Sequence, residues 1–181
     1  MPPTPPAFVL ATVGTDHHPF DRFVEWVDAW HTEHPDVEVF VQYGTCARVP
    51  VSPGSQWVEG HELASMMQRA DAIICHGGPS TIIEARSSGT MPVVIPRNPS
   101  LGEHVDEHQM RFADFMADQD NILLARTSDD LSSHVGRVLA GEVPPPPVSA
   151  NQSATLEQVS TVIGDLMSQP CRPLLGVRGR R

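Results

Sequence analysis

Short unbroken apolar runs alternate along this chain with longer segments in which apolar residues recur at helical spacing. A strand buried on both faces carries such a continuous run, and Ala7 to Val13 is the clearest example. Further runs predict strands at 37–41, 72–75, 91–96 and 121–125, with a weak strand at 56–58. The helical spacing predicts helices over 20–34, 62–69, 80–88, 105–116 and 128–139, the last capped by Ser128.

Strand and helix alternate almost throughout this order of elements. Such alternation, with nearly continuous apolar strands, is typical of an α/β protein that has helices on both faces of a parallel sheet. We therefore predict a Rossmann-like, doubly wound parallel sheet. In this architecture ligands bind at the carboxyl ends of the strands.

Composition divides the 181 residues into five segments. Residues 1–6 are a Pro-rich start that we expect to be disordered, and 7–140 form the Rossmann-like domain. A Pro-rich linker follows at 141–150, then a C-terminal helix at 151–169 and a basic tail at 170–181. The helix either packs on its own sheet or docks on a partner chain. The tail is either a solvated terminus or a contact for an anionic membrane surface or an acidic partner.

Charge and cysteine usage exclude several classes of protein. The formal net charge of −10 argues against a general nucleic-acid binder. The three cysteines are far apart and lack a CxxC spacing, so we expect neither a disulfide framework nor a zinc site. No apolar stretch is long enough to cross a membrane, and the first residues lack the features of a signal peptide. A cytoplasmic protein fits these observations.

One predicted strand leads into a pair of glycines and then into the start of a helix. This geometry points backbone N–H groups and the positive end of the helix dipole at an anion. Gly77 and Gly78 allow a phosphate to approach the main chain. Ser80 and Thr81 add hydroxyl donors, and Glu84 reaches towards sugar hydroxyls beside the phosphate. The alternative is an ordinary strand-to-helix turn in which Ser80 caps the helix.

Three glycine-marked loops follow predicted strands, at 14–18, 44–45 and 76–81. Because the carboxyl ends of parallel strands meet at one edge of the sheet, these loops should lie together. On the first loop, His17 and His18 are candidates for a general base. The alternative is that they are solvated loop histidines or that they pair with Asp16 or Asp21.

Three separated motifs agree in order and spacing with a known family: His76 to Glu84, Gly89-x-x-Pro92 followed by Pro96, and Glu103 to Gln109. Together they resemble the C-terminal domain of the family 28 glycosyltransferases, which is one half of a GT-B enzyme. The resemblance covers about residues 7–140. It is closest to stand-alone versions of that half, such as the catalytic subunit of the eukaryotic dolichol-linked N-acetylglucosaminyltransferase and its bacterial counterparts in exopolysaccharide assembly.

The resemblance implies a nucleotide-sugar site made from Gly14, Thr15, His76, Gly77, Gly78, Ser80, Thr81, Glu84, His108 and Gln109. In this family the HGG-x-x-T turn holds the diphosphate, and the glutamate at the position of Glu84 binds the ribose. His108 and Gln109 fall where relatives contact the donor sugar. The uracil base is received by the loop that contains Trp57, Val58 and Gly60. Pro79 departs from the family pattern, because it removes one N–H donor from the turn.

The implied reaction is the transfer of N-acetylglucosamine or another hexose from a UDP-sugar to a lipid-linked acceptor in polysaccharide or glycolipid synthesis, with inversion at the sugar. The departing diphosphate needs stabilisation, which a helix N-terminus, His76 and hydroxyl groups can provide. No paired-Asp motif that would hold Mg²⁺ stands out, so we expect neither a metal nor another cofactor.

GT-B enzymes close two domains over the donor, and this chain carries the signature of the donor-binding domain alone. We therefore predict a separate, membrane-attached acceptor-binding subunit that holds the protein peripherally at the inner face of the membrane; a homodimer is also possible. The alternative function is a non-catalytic nucleotide-sugar-binding or regulatory protein. An oxidoreductase is disfavoured because the first glycine loop lacks G-x-G-x-x-G, and a hydrolase because no G-x-S-x-G occurs.

Overall fold

The structure, a computed structural model, describes residues 5–147. Its strands in that range are β1 (Phe8–Thr12), β2 (Glu38–Gln42), β3 (Gly54–Ser55), β4 (Ala72–His76), β5 (Val93–Ile95) and β6 (Leu123–Leu124). Its α-helices are α1 (Asp21–Glu33), α2 (Gly60–Arg69), α3 (Pro79–Ser87), α4 (His108–Asp118) and α5 (Ser128–Leu139), with a 3-10 helix at Pro99–Leu101.

The strands form one sheet in the order β3-β2-β1-β4-β5-β6, and every neighbouring pair is parallel. The predicted Rossmann-like, doubly wound sheet is therefore confirmed. The chain reverses its direction of travel across the sheet between β1 and β4, where Thr12 pairs with Cys75. Loops at such a reversal diverge and leave a crevice at the carboxyl edge, which is where ligands bind in this architecture.

The two central strands are buried on both faces, as their continuous apolar runs predict. Alternate residues of β1 enter separate cores, because successive side chains of a strand point to opposite faces. Val9 belongs to the core with residues of α1 and α5, whereas Leu10 belongs to the core with Met67 of α2. Helices therefore cover both faces, and the carboxyl edge of the sheet is left to the loops.

The third strand is Gly54–Ser55, so the predicted strand at 56–58 is wrong. Gly54 pairs with Val41 of β2, and a Cβ atom at Gly54 would lie only 2.3 Å from the Val41 carbonyl oxygen. Only a residue without a side chain fits that approach. Trp57, which suggested a strand by its β propensity, lies in the loop that follows.

The predicted start of one helix and the predicted cap of another are also wrong. Helix α4 begins at His108 and not at 105, because the Oδ1 atom of Asp106 accepts the His108 N–H at 3.0 Å and forms a turn first. Helix α5 is capped by Thr127 and not by Ser128. The Oγ1 atom of Thr127 accepts the Asp130 N–H at 3.1 Å, and the Oδ2 atom of Asp130 accepts the Thr127 N–H at 3.0 Å.

Several predicted segments fall outside the described residues. These are the C-terminal helix at 151–169 and the basic tail at 170–181, together with parts of the Pro-rich start and of the linker. Between residues 5 and 147, none of the helices has both the length and the apolar character that crossing a bilayer requires.

Candidate functional site

The glycine turn after β4 presents the N-terminus of α3 at the carboxyl edge of the sheet. Gly78 occupies the N-cap position in an extended conformation, and Pro79 is the first helical residue. No side chain caps this helix, so the alternative in which Ser80 is the cap is wrong; Ser80 is exposed on the first turn. The N–H groups of the first turn have no acceptor within the helix, and they are therefore available to a ligand.

His76 ends β4 and is buried between two glycines. A Cβ atom on Gly14 would lie 2.3 Å from the Cε1 atom of His76, and one on Gly78 would lie 2.2 Å from its Nε2 atom. Burial and the nearby Arg97 guanidinium lower the pKa of His76 to about 4. The ring is therefore neutral near pH 7. His76 gives the turn its shape without adding a positive charge to it.

Arg97 supplies a buried positive charge at the same edge, immediately after β5. Its Nη2 atom donates to the Val13 carbonyl at 3.0 Å. Its Nη1 atom donates to the carbonyls of His18 at 2.7 Å and Glu103 at 3.0 Å. Burial lowers the pKa of Arg97, but a guanidinium starts so high that it stays charged. Arg97 thus joins the loop after β1 to the loop after β5.

A second arginine reinforces this junction. The Nε and Nη2 atoms of Arg22, on α1, donate to the two carboxylate oxygens of Glu103 at 2.9 and 2.8 Å. Glu103 also accepts the Asn98 N–H at 2.8 Å, and Arg22 also donates to the Pro96 carbonyl at 2.9 Å. Bidentate pairs of this kind fix geometry as well as charge. The loop that leads to α4 is therefore held rigidly against α1.

The two histidines of the first loop have different surroundings in the structure. The Nδ1 atom of His18 lies 2.7 Å from Asp16 Oδ1, and the His18 ring is 20% exposed. The ring of His17 is 83% exposed, and its Nδ1 atom lies 4.0 Å from the same carboxylate oxygen. A hydrogen bond to Asp16 places the His18 proton on Nδ1, which leaves Nε2 as an acceptor. Of the two, His18 has the geometry of a general base.

The carboxylate of Asp16 also faces the loop before α4. Its Oδ2 atom lies 3.4 Å from the Nε2 atom of His104. The other ring nitrogen of His104 lies 3.3 Å from Asp106 Oδ1, which in turn lies 2.6 Å from the Nδ1 atom of His108. Hydrogen bonds from His18 lower the pKa of Asp16 against the effect of burial, and those from His108 do the same for Asp106.

The start of α4 packs directly on the glycine turn. A Cβ atom on Gly77 would lie 3.0 Å from both the Cβ atom and the carbonyl oxygen of Gln109. The Oε1 atom of Gln109 is buried and has no hydrogen-bond partner among the described residues. A buried acceptor without a partner is costly, and a ligand donor would satisfy it. Gln109, one of the two residues expected at the donor sugar, therefore adjoins the glycine turn.

The loop expected to receive the base lies beyond β2 and β3. Trp57 is 49% exposed, and its ring passes near Gly44, whose N–H donates to the Gln56 carbonyl at 2.9 Å. Val58 is half-buried, and Gly60 begins α2 with open space around it. Trp57 thus offers an open indole face beside a glycine turn of the same sheet edge.

The remaining predicted site residues are more exposed. Thr15 is exposed on the first loop, and Thr81 is half-buried on the first turn of α3. Glu84 is exposed on the second turn of α3.

Ligand-type atoms of Asp16, His17 and His18 lie within 4.8 Å of one another. Hydrogen bonding already accounts for the position of His18, and His17 is directed mostly into solvent. We therefore treat these residues as a hydrogen-bonded loop.

The profile of the glycosyltransferase family 28 C-terminal domain matches residues 8–163, which is more than half of the chain. The chain belongs to this family. A relative from Xanthomonas oryzae pv. oryzae is the UDP-N-acetylglucosamine–N-acetylmuramyl-(pentapeptide) pyrophosphoryl-undecaprenol N-acetylglucosamine transferase. It is 28% identical over 114 residues, which cover 59% of this chain and 25% of the relative. The chain thus spans a quarter of the length of such curated relatives.

Solved structures share the fold of this family 28 domain. MurG from Acinetobacter baumannii matches 91% of this chain and 50% of its own, with a TM-score of 0.58 and 20% identity. The solution structure of ALG13 matches 85% of this chain and 94% of its own, with a TM-score of 0.57 and 16% identity. The prediction of a single GT-B half is thus confirmed at the level of fold.

Sequence reasoning missed two residues that organise the site of this family 28 domain, Arg22 and Arg97, and included Glu103 only as part of a motif. Arg97 directly follows a predicted strand, so the rule that loops at strand ends form the site could have singled it out. Its acceptors are backbone carbonyls, and these carry no mark in the sequence. Asp16 entered only as a possible partner for the neighbouring histidines, and His104 and Asp106 only as parts of a motif.

Proposed function

We propose that this chain is the donor-binding half of an inverting glycosyltransferase, which moves N-acetylglucosamine or another hexose from a UDP-sugar to a lipid-linked acceptor. The observation that carries the proposal is the sandwich of His76 between Gly14 and Gly78 beneath the open N-terminus of α3. Family membership and this anion-receiving turn support the same activity.

The donor lies along the carboxyl edge of the sheet. Its diphosphate occupies the turn of Gly77 and Gly78, beside the exposed Ser80 and the half-buried Thr81, whose N–H and hydroxyl groups donate to it. Glu84 accepts from the ribose hydroxyls. The following groups complete the site: the buried Oε1 atom of Gln109 with His108 at the donor sugar, the Trp57 loop at the base, and Gly14 with Thr15 on the adjoining loop.

Departure of the diphosphate is assisted by fixed dipoles and charge. In the reaction the bond from the anomeric carbon to the diphosphate oxygen breaks, and its electron pair leaves with UDP. The helix N-terminus of α3 faces the charge that builds on that oxygen, and Arg97 adds a permanent positive charge behind the loop. These groups are already in place before the reaction begins, so residues of this chain can stabilise the departing diphosphate.

The acceptor hydroxyl loses its proton to the Nε2 atom of His18 as the oxygen attacks the anomeric carbon. Asp16 holds the Nδ1 proton of His18 and stabilises the imidazolium that results, which is the usual role of a carboxylate behind a catalytic histidine. His17 was an equal candidate by sequence. Its exposed ring lacks such a carboxylate contact, so we assign the base to His18.

The acceptor is delivered by a second, membrane-attached subunit or domain, which brings this chain to the inner face of the membrane. MurG, whose chain is matched over 50% of its length, has room for a further domain beside the matched part. The name of the Xanthomonas relative includes an undecaprenol-linked acceptor, which supports a lipid-linked substrate here. A homodimer would also cover the open edge of the sheet.

The test is calorimetric binding of UDP and UDP-N-acetylglucosamine to the wild type, Glu84→Ala and the control Glu25→Ala. Glu25 is an exposed glutamate on a different helix, α1. We expect Glu84→Ala to weaken binding about tenfold, as loss of a hydrogen bond to a charged group predicts. Unchanged affinity in Glu84→Ala would contradict the donor site. Donor binding without turnover, once the acceptor subunit is present, would favour the non-catalytic alternative.

A further inference from the structure

Five side chains from two distant loops form an alternating chain of imidazoles and carboxylates. In order they are His18, Asp16, His104, Asp106 and His108, and we call them the imidazole–carboxylate chain. Successive members lie 2.7, 3.4, 3.3 and 2.6 Å apart. The chain begins on the loop after β1 and ends at the first residue of α4. It therefore spans from the base assigned above to the donor-sugar end of the site.

His104 is the central member, and both of its ring nitrogens face a carboxylate. Its Nδ1 atom also lies 3.3 Å from the Asp106 N–H, which can donate to it. When the proton of the neutral ring is on Nε2, Nε2 donates to Asp16 and Nδ1 accepts from the Asp106 N–H. The Asp106 carbonyl oxygen also lies 3.3 Å from Nδ1 and can accept once Nδ1 carries a proton. In the protonated ring both nitrogens donate, to Asp16 and to Asp106. One added proton at His104 thus changes the hydrogen bonding of both carboxylates.

We propose that His104 is a positioning residue that couples His18 to His108, so that the gain or loss of a proton at one end changes the proton affinity of the other. The inference rests on the proposed function for its meaning, because it connects the acceptor base to the donor sugar. A donor that contacts His108 would thereby prepare His18 to accept the proton of the acceptor hydroxyl.

The physical basis is that each carboxylate is shared. When His18 becomes positively charged, it draws the Asp16 carboxylate more strongly and leaves less of it for His104. His104 is then protonated less readily, so its Nδ1 atom donates less to Asp106. More of the Asp106 carboxylate is therefore available to His108. Groups that interact in this way titrate as one set and not independently.

Other charged groups around His104 are the imidazole of His76 from β4, the guanidinium of Arg97 after β5, the carboxylate of Glu103 with its partner Arg22, and the imidazole of His17. Arg97 remains charged and is bound to carbonyls. Glu103 is neutralised by its bidentate pair, and burial keeps His76 neutral. His17 lies 4.0 Å from Asp16 but is not a member of the imidazole–carboxylate chain, so its variant serves as the control.

The experiment is a pH titration of the imidazole Cε1–H resonances by NMR, on the protein without donor, acceptor or partner. His108→Gln should shift the titration midpoint of His18 by about half a pH unit, and His18→Gln should shift that of His108 equally, because coupling is reciprocal. In a His104→Gln background both cross-effects should disappear. His17→Gln should leave His108 unchanged. Dispersed spectra of each variant establish that it is folded.

Asp106→Asn is a second variant that breaks the chain without changing His104, and it should abolish both cross-effects as well. Cross-effects that persist in His104→Gln and Asp106→Asn would overturn the proposal, and so would their absence from the wild-type background. The measurement needs no turnover. A protein that shows the coupling but binds no UDP-sugar would therefore refute the proposed function while leaving the imidazole–carboxylate chain intact.

Discussion

The imidazole of His76 fills the space beside Gly14 so completely that a Cβ atom there would lie 2.3 Å from its Cε1 atom. Gly14 also has a φ of +73°, a conformation that other residues adopt at a cost. The close approach brings the loop after β1 onto the end of β4. The two strand ends thus form a single surface beneath the start of α3.

Gly14→Ala should lower the free energy of unfolding by about 2–3 kcal/mol, from backbone strain and from the displaced ring together. Nucleotide binding should weaken at the same time, because the ring supports the phosphate turn. Denaturant unfolding and calorimetry measure the two effects. Gly141→Ala is the matched control, because Gly141 also has a positive φ of +70° but nothing lies within 4 Å of a Cβ atom built there.

His76→Ala removes the obstacle and provides the second half of a double-mutant cycle. Gly14→Ala should cost less in the His76→Ala background than in the wild type, with backbone strain alone remaining. Equal costs in both backgrounds would show that the contact between Gly14 and His76 has no energetic weight.

The buried imidazole of His76 should make stability depend on pH in a defined window. Its pKa is lowered from 6.5 to about 4 in the folded protein. The unfolded chain therefore takes up a proton as the pH falls below 6.5, whereas the folded protein does not until about pH 4. Its stabilising contribution is complete above 6.5 and declines by about 3 kcal/mol between these values.

His76→Asn removes this titration and should flatten the pH dependence of the unfolding free energy in that window. The limiting difference in slope is about 1.4 kcal/mol per pH unit, which corresponds to one proton. Asp16 makes stability depend on pH in a more acidic range than His76 does. Its lowered pKa gives stability above its usual value of 3.8, which is lost as the pH falls through the folded value. Parallel curves for the wild type and His76→Asn would refute the assignment of the window.

Arg97→Met should destabilise the protein by about 3–5 kcal/mol, because three carbonyls lose their donor in a buried place. Arg97→Lys retains the charge but not the planar fork, so its free energy of unfolding should lie between those of the wild type and Arg97→Met. Urea unfolding measures both. Arg126→Met is the control: its partner Asp114 is at the surface, and the pair should contribute less than about 1 kcal/mol. Equal effects at the two arginines would contradict a structural role for Arg97.

The cap of α5 can be tested with neighbouring hydroxyl residues. Thr127→Ala removes the acceptor for the Asp130 N–H and should cost about 1 kcal/mol. Ser128→Ala changes an exposed residue inside the helix and should cost a few tenths at most. Thermal unfolding of the two variants shows whether Thr127 or Ser128 is the cap. A larger loss for Ser128→Ala would restore the cap that the sequence alone suggests.

The order of elements could be predicted from the sequence because the strands are buried on both faces. Continuous apolar runs such as Val9 to Val13 have no other common explanation in a chain that also carries helical spacing. The third strand could not be placed in this way. It is only two residues long, and it is positioned by the fit of Gly54 beneath the Val41 carbonyl, which is a contact between distant parts of the chain.

The candidate site could be predicted where a backbone conformation requires a residue type, as in the glycines around His76. It could not be predicted where the partner is a main-chain carbonyl, as for Arg97. His17 and His18 are equivalent by sequence, and the path of the loop alone brings His18 to Asp16. His104 lies 88 positions from Asp16, and the pairing follows from the parallel order of the strands.

The contact of Gly77 with Gln109 restricts how this domain could be redesigned for other sugars. The start of α4 rests on a residue that has no side chain, so an engineer cannot enlarge the turn without displacing the residues that we propose to face the sugar. A library that varies only 108 and 109 therefore searches donor preference at a fixed phosphate position. To change the depth at which a sugar is held, position 77 and the first turn of α4 would have to be varied together.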